Sequence, residues 1–229
     1  MKLTDRKTQH GKWYGDACGA AFALELLGER WSLLIVRELM FGGRRFKNLR
    51  ASLPDISAKV LTERLHGLEA AGIVRRAQLP SAPAQIYELT PWGYRADEIL
   101  LPLCRWALAS PGHDHTLFLS PAAMMMSLRA LFDPRLGVEE ILSGEIRMGA
   151  ERYRVCVADA RFTVVPGAGE APGFTIAAPD AALVKLLIYG RMPPAMLAAD
   201  GLAISGDGLA ADRFVGLFHF PEPLSQYPA

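Results

Sequence analysis

Apolar residues recur at helical spacing through Ile56, Val60, Leu61, Leu65 and Leu68, while Ser57, Lys59, Thr62, Glu63 and Arg64 between them are polar or charged. Such a pattern predicts one helix with a buried side and a solvent-facing side, and the second suits a DNA major groove. Gly72 stands where a left-handed residue closes that helix, and residues 73–79 take on strand character. Residues 80–84 are rich in turn formers and 85–89 predict a return strand, so the segment reads as a helix followed by a hairpin wing. Upstream, residues 17–27 predict an amphipathic helix of small residues ended by Gly28. Residues 31–41, apolar almost all round, predict a central buried helix closed by Gly42 and Gly43. Residues 46–53 predict a short third helix, and 54–57 the turn into the fourth, with Asp55 or Ser57 as its cap. Downstream, Thr90 caps a helix with Pro91 in its first turn, running through Tyr94, Ile99, Leu100, Leu103 and Trp106 towards Ser110.

The pattern then changes. Residues 111–115 form a polar Gly/Pro break, and we read 1–16 as an N-terminal arm, 17–110 as one domain, 111–116 as a linker and 117–229 as a second domain. In that second part, residues 121–132 predict a helix, 152–159 and 162–165 strands meeting at 159–161, and 173–178 a further strand. Residues 181–189 and 194–199 predict short helices, 202–205 a last strand and 209–218 a last helix. The fold class is therefore α+β, with a helical, winged first domain and a small α+β second domain.

With 229 residues, 51% of them hydrophobic, the chain can bury a core in each of two modest domains. It lacks a run of about twenty uncharged apolar residues and a signal-peptide core, so a cytoplasmic location without membrane association is expected. Three widely spaced cysteines, Cys18, Cys104 and Cys156, suggest neither a disulfide framework nor a zinc site, and no metal is expected. The formal net charge of +1 conceals an asymmetry: residues 1–110 carry 16 Lys and Arg against 11 Asp and Glu, a net +5, and residues 111–229 carry 9 against 13, a net −4. The excess lies in 42–76, where Arg44, Arg45, Lys47, Arg50, Lys59, Arg64, Arg75 and Arg76 face only Asp55, Glu63 and Glu69. Local basic density of this kind is the footprint of a nucleic-acid partner.

Residues 17–109 resemble the HxlR family of bacterial winged helix-turn-helix regulators. The resemblance rests on Cys18, GERWSLLIVREL at 28–39, GRRFKNL at 43–49, ISAKVLTERL at 56–65, LEAAGIV at 68–74 and YELTPWG at 87–93. It implies a homodimer held by the first and last helices of the domain, bound to double-stranded DNA at a roughly palindromic operator through two recognition helices. On that basis Ser57, Lys59, Thr62, Glu63 and Arg64 are candidates for the groove, and Arg45, Lys47, Arg75 and Arg76 for the DNA backbone. One departure is the wing, where no Lys or Arg occurs between Leu79 and Tyr87. Cys18 sits where some members carry a redox-sensing cysteine; a helix start favours its thiolate and Asp16 opposes it. Cys104 and Cys156 lie in apolar contexts and are expected to be inert.

Residues from about 115 to 220 resemble the sterol-carrier-protein-like domain through LFDP at 131–134, YRVCVADARFTVVPG at 153–167, FTIAAPDAAL at 174–183 and ISGDG at 204–208. This implies an apolar small-molecule ligand, for which Met125, Met126, Phe132, Leu187, Tyr189, Met196 and Phe218 are candidates; methionine suits pockets of adaptable shape. Catalysis finds little support: no nucleophile elbow, phosphate loop or dinucleotide fingerprint is present, and no cofactor is expected. The pattern is that of a ligand-modulated DNA-binding regulator. Two alternatives stand beside it, a lipid or hydrophobic-metabolite carrier that uses its first domain mainly to dimerise and a thiol-switched regulator acting through Cys18.

Overall fold

The computed structural model describes residues 14–78 and 84–221. The chain divides into two compact units, 1–96 and 97–229.

In the first unit, α1 (Gly19–Leu27), α2 (Ser32–Leu39), α3 (Phe46–Ser52) and α4 (Ala58–Ala70) precede the hairpin β1 (Val74–Gln78) and β2 (Gln85–Leu89) and the short α5 (Pro91–Tyr94). The core is the one the apolar spacing marks out, with Ile35, Val36, Leu39, Leu49, Leu61, Leu65, Leu68 and Leu89 buried. Complete burial of such a side chain stabilises the fold by about 1.5–3 kcal/mol, so these eight dominate the unit. The hairpin is antiparallel, with Val74 opposite Leu89 and Gln78 opposite Gln85. Arg44 extends it by one bridge: its N–H donates to the Tyr87 carbonyl and its carbonyl accepts from the Tyr87 N–H, both at 2.8 Å. The YELTPWG segment locks hairpin to helix. The Thr90 hydroxyl accepts from the Gly93 N–H at 3.0 Å and donates to the Gly72 carbonyl at 2.7 Å. A Cβ at Gly93 would lie 2.1 Å from the Ile73 carbonyl oxygen, so no larger residue fits this approach.

The second unit holds α6 (Asp97–Leu108), α7 (Pro121–Leu131), β3 (Leu142–Met148), β4 (Glu151–Ala158), β5 (Arg161–Pro166), β6 (Phe174–Ala178), α8 (Ala181–Ile188), α9 (Pro194–Leu197), β7 (Ala203–Gly206) and α10 (Gly208–Val215). Its five-stranded sheet has the order β5-β4-β3-β6-β7, with β3 and β6 parallel and the other pairs antiparallel. The helix α7 is buried along most of its length, from Ala122 to Leu128, which is why its sequence is apolar on every side. Phe132, Phe162, Phe174, Phe214 and Phe218 form an aromatic cluster under the sheet, with ring centroids 4.9–6.2 Å apart. Gly144 makes room for it, since a Cβ there would meet the Phe174 ring at 2.3 Å.

Three expectations change. The helix read as continuous from Thr90 to Ser110 is two, α5 and α6, separated at Arg95 and Ala96. The division between units falls at Ala96/Asp97 rather than at 111–116, because α6 is tied into the second unit. Both carboxylate oxygens of Asp97 accept from Arg129 at 2.6 Å, and Arg105 donates to the carbonyls of Ala130 and Arg129 at 3.4 Å. Finally, the central strand β3 lies where the sequence reading places no element, although Leu142, Gly144, Ile146 and Met148 alternate towards the core. The turn at Asp159 and Ala160 is as expected; both residues have positive φ, +51° and +55°, as a two-residue hairpin turn demands.

Candidate nucleic-acid interface

The helix α4 begins at an N-cap, Ser57, whose hydroxyl accepts from the Val60 N–H at 3.2 Å. Of the two anticipated caps it is therefore Ser57, while Asp55 takes a left-handed turn conformation, φ +70°. Ile56, Leu61, Leu65 and Leu68 bury one side of the segment. On the other, Lys59, Thr62, Glu63 and His66 are exposed at the spacing i, i+3, i+4, i+7, a single stripe along two turns. The Thr62 hydroxyl donates to the Ala58 carbonyl at 2.9 Å, so its oxygen remains available as an acceptor. His66 is not among the sequence candidates; its distance of four from Thr62 and seven from Lys59 is the signal that places it on this stripe.

Arg64 lies off this stripe and is half-buried. Its guanidinium ion-pairs with Glu29 at 2.9 Å and donates to the Arg30 carbonyl at 3.2 Å, clamping α4 to the turn that opens α2. The wing arginines are also engaged. Arg75 pairs with Glu88, its partner across the hairpin, at 2.7 Å. Arg76 makes two contacts with Glu69, at 2.7 and 3.1 Å, and lies over the Tyr87 ring at 5.7 Å. Its pKa rises above the ordinary arginine value, first because of the hydrogen bond to Glu69. Arg44 is buried, its Nε donating to the Glu38 carbonyl at 2.8 Å. Of the eight cations in 42–76, four remain without an ion pair among the described residues: Arg45 at the N-cap of α3, Lys47 and Arg50 on that helix, and Lys59 on α4. The wing tip, 79–83, lies outside the described residues, as does most of the N-terminal arm.

Cys18 is exposed at the N-cap of α1. The backbone amides of Ala20 and then Ala21 pull its thiol below the ordinary cysteine pKa. Asp16, expected to oppose this, accepts from the Cys18 N–H at 2.9 Å. Cys156, expected in an apolar context, is exposed because it falls on the outward phase of β4.

The seven candidates for an apolar ligand are distributed unevenly. Met125, Met126, Leu187 and Phe218 are buried, Phe132 and Tyr189 are half-buried, and Met196 is 63% exposed. Burial pushes the Tyr189 phenol well above its ordinary pKa, and its hydroxyl faces Ser127 without completing a hydrogen bond. Among the described residues no group of three His, Cys, Asp or Glu side chains is placed to hold a metal, and no helix is long and apolar enough to cross a membrane.

A short helix, a tight turn and a capped helix with an exposed polar stripe, followed by a hairpin, define a helix-turn-helix DNA-binding transcriptional regulator. Residues 26–113 match the HxlR-like helix-turn-helix family. The uncharacterized HTH-type transcriptional regulator YvaP of Bacillus subtilis (strain 168) is 42% identical over 86 residues, covering 37% of this chain and 80% of that protein. The HTH-type transcriptional regulator YodB of the same organism is 43% identical over 86 residues, covering 37% and 77%. The reduced form of YodB, as a solved structure, is 38% identical, with a TM-score of 0.38, and covers 43% of this chain and 100% of that one. The chain belongs to the HxlR-like helix-turn-helix family.

Proposed function

We propose that the protein is a homodimeric, sequence-specific regulator that binds a roughly palindromic operator in the cytoplasm and acts by binding rather than by catalysis. The exposed stripe of Lys59, Thr62, Glu63 and His66 carries this reading. A helix with one apolar and one polar, donor- and acceptor-bearing side is what a major groove accommodates. Lys59 donates to guanine or phosphate, Thr62 and Glu63 accept from amino groups on base edges, and Arg45, Lys47 and Arg50 neutralise phosphates. Arg64, Arg75 and Arg76 serve as positioning residues, since each is held by a carboxylate.

Dimerisation is supported by exposed apolar side chains on the elements that family resemblance assigns to it. Phe22 and Leu24 on α1, and Ile99, Leu103 and Trp106 on α6, are all exposed, more than a monomer usually leaves to water. The second unit we read as a sterol-carrier-like module for an apolar effector. Its methionine-rich interior and the unsatisfied Tyr189 hydroxyl support that reading, because a ligand with one acceptor would satisfy the phenol. Effector and operator would then be linked through the arrangement of the two recognition helices. A second reading, switching by thiol chemistry, is supported by the exposed, acidified Cys18.

The test is a titration of the full chain against the DNA beside its own gene, with excess unrelated competitor at two salt concentrations. Competitor-resistant binding that weakens with salt, and that Lys59→Ala with Lys47→Ala abolishes in an intact dimer, is the expected result. Binding lost to competitor, or indifferent to both substitutions, would favour the carrier reading. Loss of operator affinity on oxidation in the native protein but not in Cys18→Ser would favour the thiol switch.

A further inference from the structure

The sheet of the second unit has a face turned away from its core, and a concavity of about 400 Å³ lies on it. Its floor is set by register: Ser143 on β3, Cys156 on β4 and Thr163 on β5 lie opposite one another, a row of small polar side chains across three strands. One rung along are Arg154 and Val165. The far wall is the 167–173 connection, contributing Gly169, Glu170 and Pro172. That wall is tied down three times: Gly167 N–H donates to the Arg152 carbonyl at 2.9 Å, Gly173 N–H to the Ser143 carbonyl at 2.9 Å, and Gly169 N–H to the Glu145 carboxylate at 3.2 Å.

The charges decide what fits. Glu145 stands opposite Arg154 in register, yet its carboxylate is occupied by Arg147 at 2.6 Å and by Gly169, with Arg152 3.9 Å away. The Arg154 side chain has no ion pair or hydrogen bond among the described residues, and its stem packs close to Gly169. The lining thus holds one uncompensated guanidinium, two hydroxyls and one thiol, with Glu170 as the acidic residue and Val165 and Pro172 as apolar surface. We propose that this concavity binds a small organic acid, with a single carboxylate on Arg154 and an apolar body against Val165 and Pro172. A guanidinium matches a carboxylate in shape and charge, the volume suits a small organic molecule, and Glu170 disfavours a doubly charged phosphate. This site lies on the opposite side of the sheet from the aromatic core and does not depend on the DNA-binding reading.

Cys156 in the floor supplies the readout. The full-length protein is treated with iodoacetamide and alkylation of each cysteine is followed by peptide mass spectrometry, with benzoate as the probe. Benzoate should slow alkylation of Cys156 and leave Cys18 unchanged. Neutral benzamide should protect about tenfold less effectively, the factor expected when a charge-assisted contact is lost. Arg154→Gln should abolish protection, measured as the Cys156 rate with benzoate relative to the rate without it in the same variant. Protection by benzamide equal to that by benzoate, protection surviving in Arg154→Gln, or none at millimolar benzoate would overturn the proposal. Stronger protection by inorganic phosphate than by benzoate would overturn the assigned class of ligand.

Discussion

Arg64, on the helix that carries the polar stripe, ion-pairs with Glu29 at 2.9 Å and donates to the neighbouring Arg30 carbonyl at 3.2 Å. A residue that its sequence position makes a candidate for the groove thereby also ties α4 to the start of α2. The pair is partly exposed, the Glu29 side chain 66% so, and its contribution to stability is correspondingly small. Arg64→Ala should lower unfolding stability by under about 1 kcal/mol. Its effect on DNA should be a uniform loss of affinity across operator variants, because the tilt of α4 changes while no base contact is removed. Affinities for a panel of single-base operator substitutions test this. A loss concentrated at one base pair would make Arg64 a reader after all.

The pairing pattern also divides the basic residues by salt response. Each phosphate neutralised contributes about 0.9 to the slope of log affinity against log salt. Lys47→Ala should therefore flatten the slope by about that amount. Arg75→Ala should leave it nearly unchanged, because Glu88 already compensates that cation at 2.7 Å. Equal flattening by both substitutions would mean that the Arg75–Glu88 pair opens on DNA.

Much of the first unit was legible because its signals are local. Caps, apolar spacing and the turn glycine of the helix-turn-helix lie within a few residues of what they determine. What the arginines do was not legible, since Arg64 and Glu29 are 35 positions apart and Arg75 meets Glu88 only through the hairpin register. Charge density in 42–76 does not show this pairing: Arg44 is buried, and Arg64, Arg75 and Arg76 each meet a carboxylate within the fold. The strand β3 is not legible in the sequence because Gly144, Glu145 and Arg147 break its apolar run. Glu145 is nonetheless 1% exposed, a charge buried by partners from three other places in the chain or sheet. Sequence patterning reads a buried carboxylate as surface, and only the fold reveals what surrounds it.

Cys18 gives a prediction in pH. The amides at the start of α1 depress its thiol pKa, so the folded protein holds thiolate at a pH where the unfolded chain holds thiol. The associated stabilisation is present above the unfolded-chain pKa and disappears as pH falls through the folded one. Alkylation of Cys18 followed against pH should therefore reach half its maximal rate at a lower pH in the native protein than in denaturant. Coincident profiles would remove the helix-start effect, and with it the physical basis for thiol sensing at this position.

Glu145 provides the corresponding test for the second unit. Its carboxyl is held below the usual range first by the hydrogen bond from Arg147, then by the Gly169 N–H and the charges of Arg147 and Arg152, against an opposing cost of burial. A depressed carboxylate pKa stabilises the fold above its unfolded value, about 4.3, and that contribution is lost as pH falls through the folded value. Glu145→Gln keeps the shape but removes the charge that gathers Arg147 and the 167–173 connection. It should destabilise the second unit by about 1–3 kcal/mol near neutral pH, the range for a buried charged hydrogen-bonding group. The difference from the parent should shrink as the solution is acidified below the carboxylate range, because the parent then loses the same charge. Urea unfolding of both proteins at neutral and at acidic pH measures it. A gap that stays constant would show that Glu145 acts through shape alone, and the connection that walls the outer concavity would then owe its position to its backbone hydrogen bonds rather than to this carboxylate.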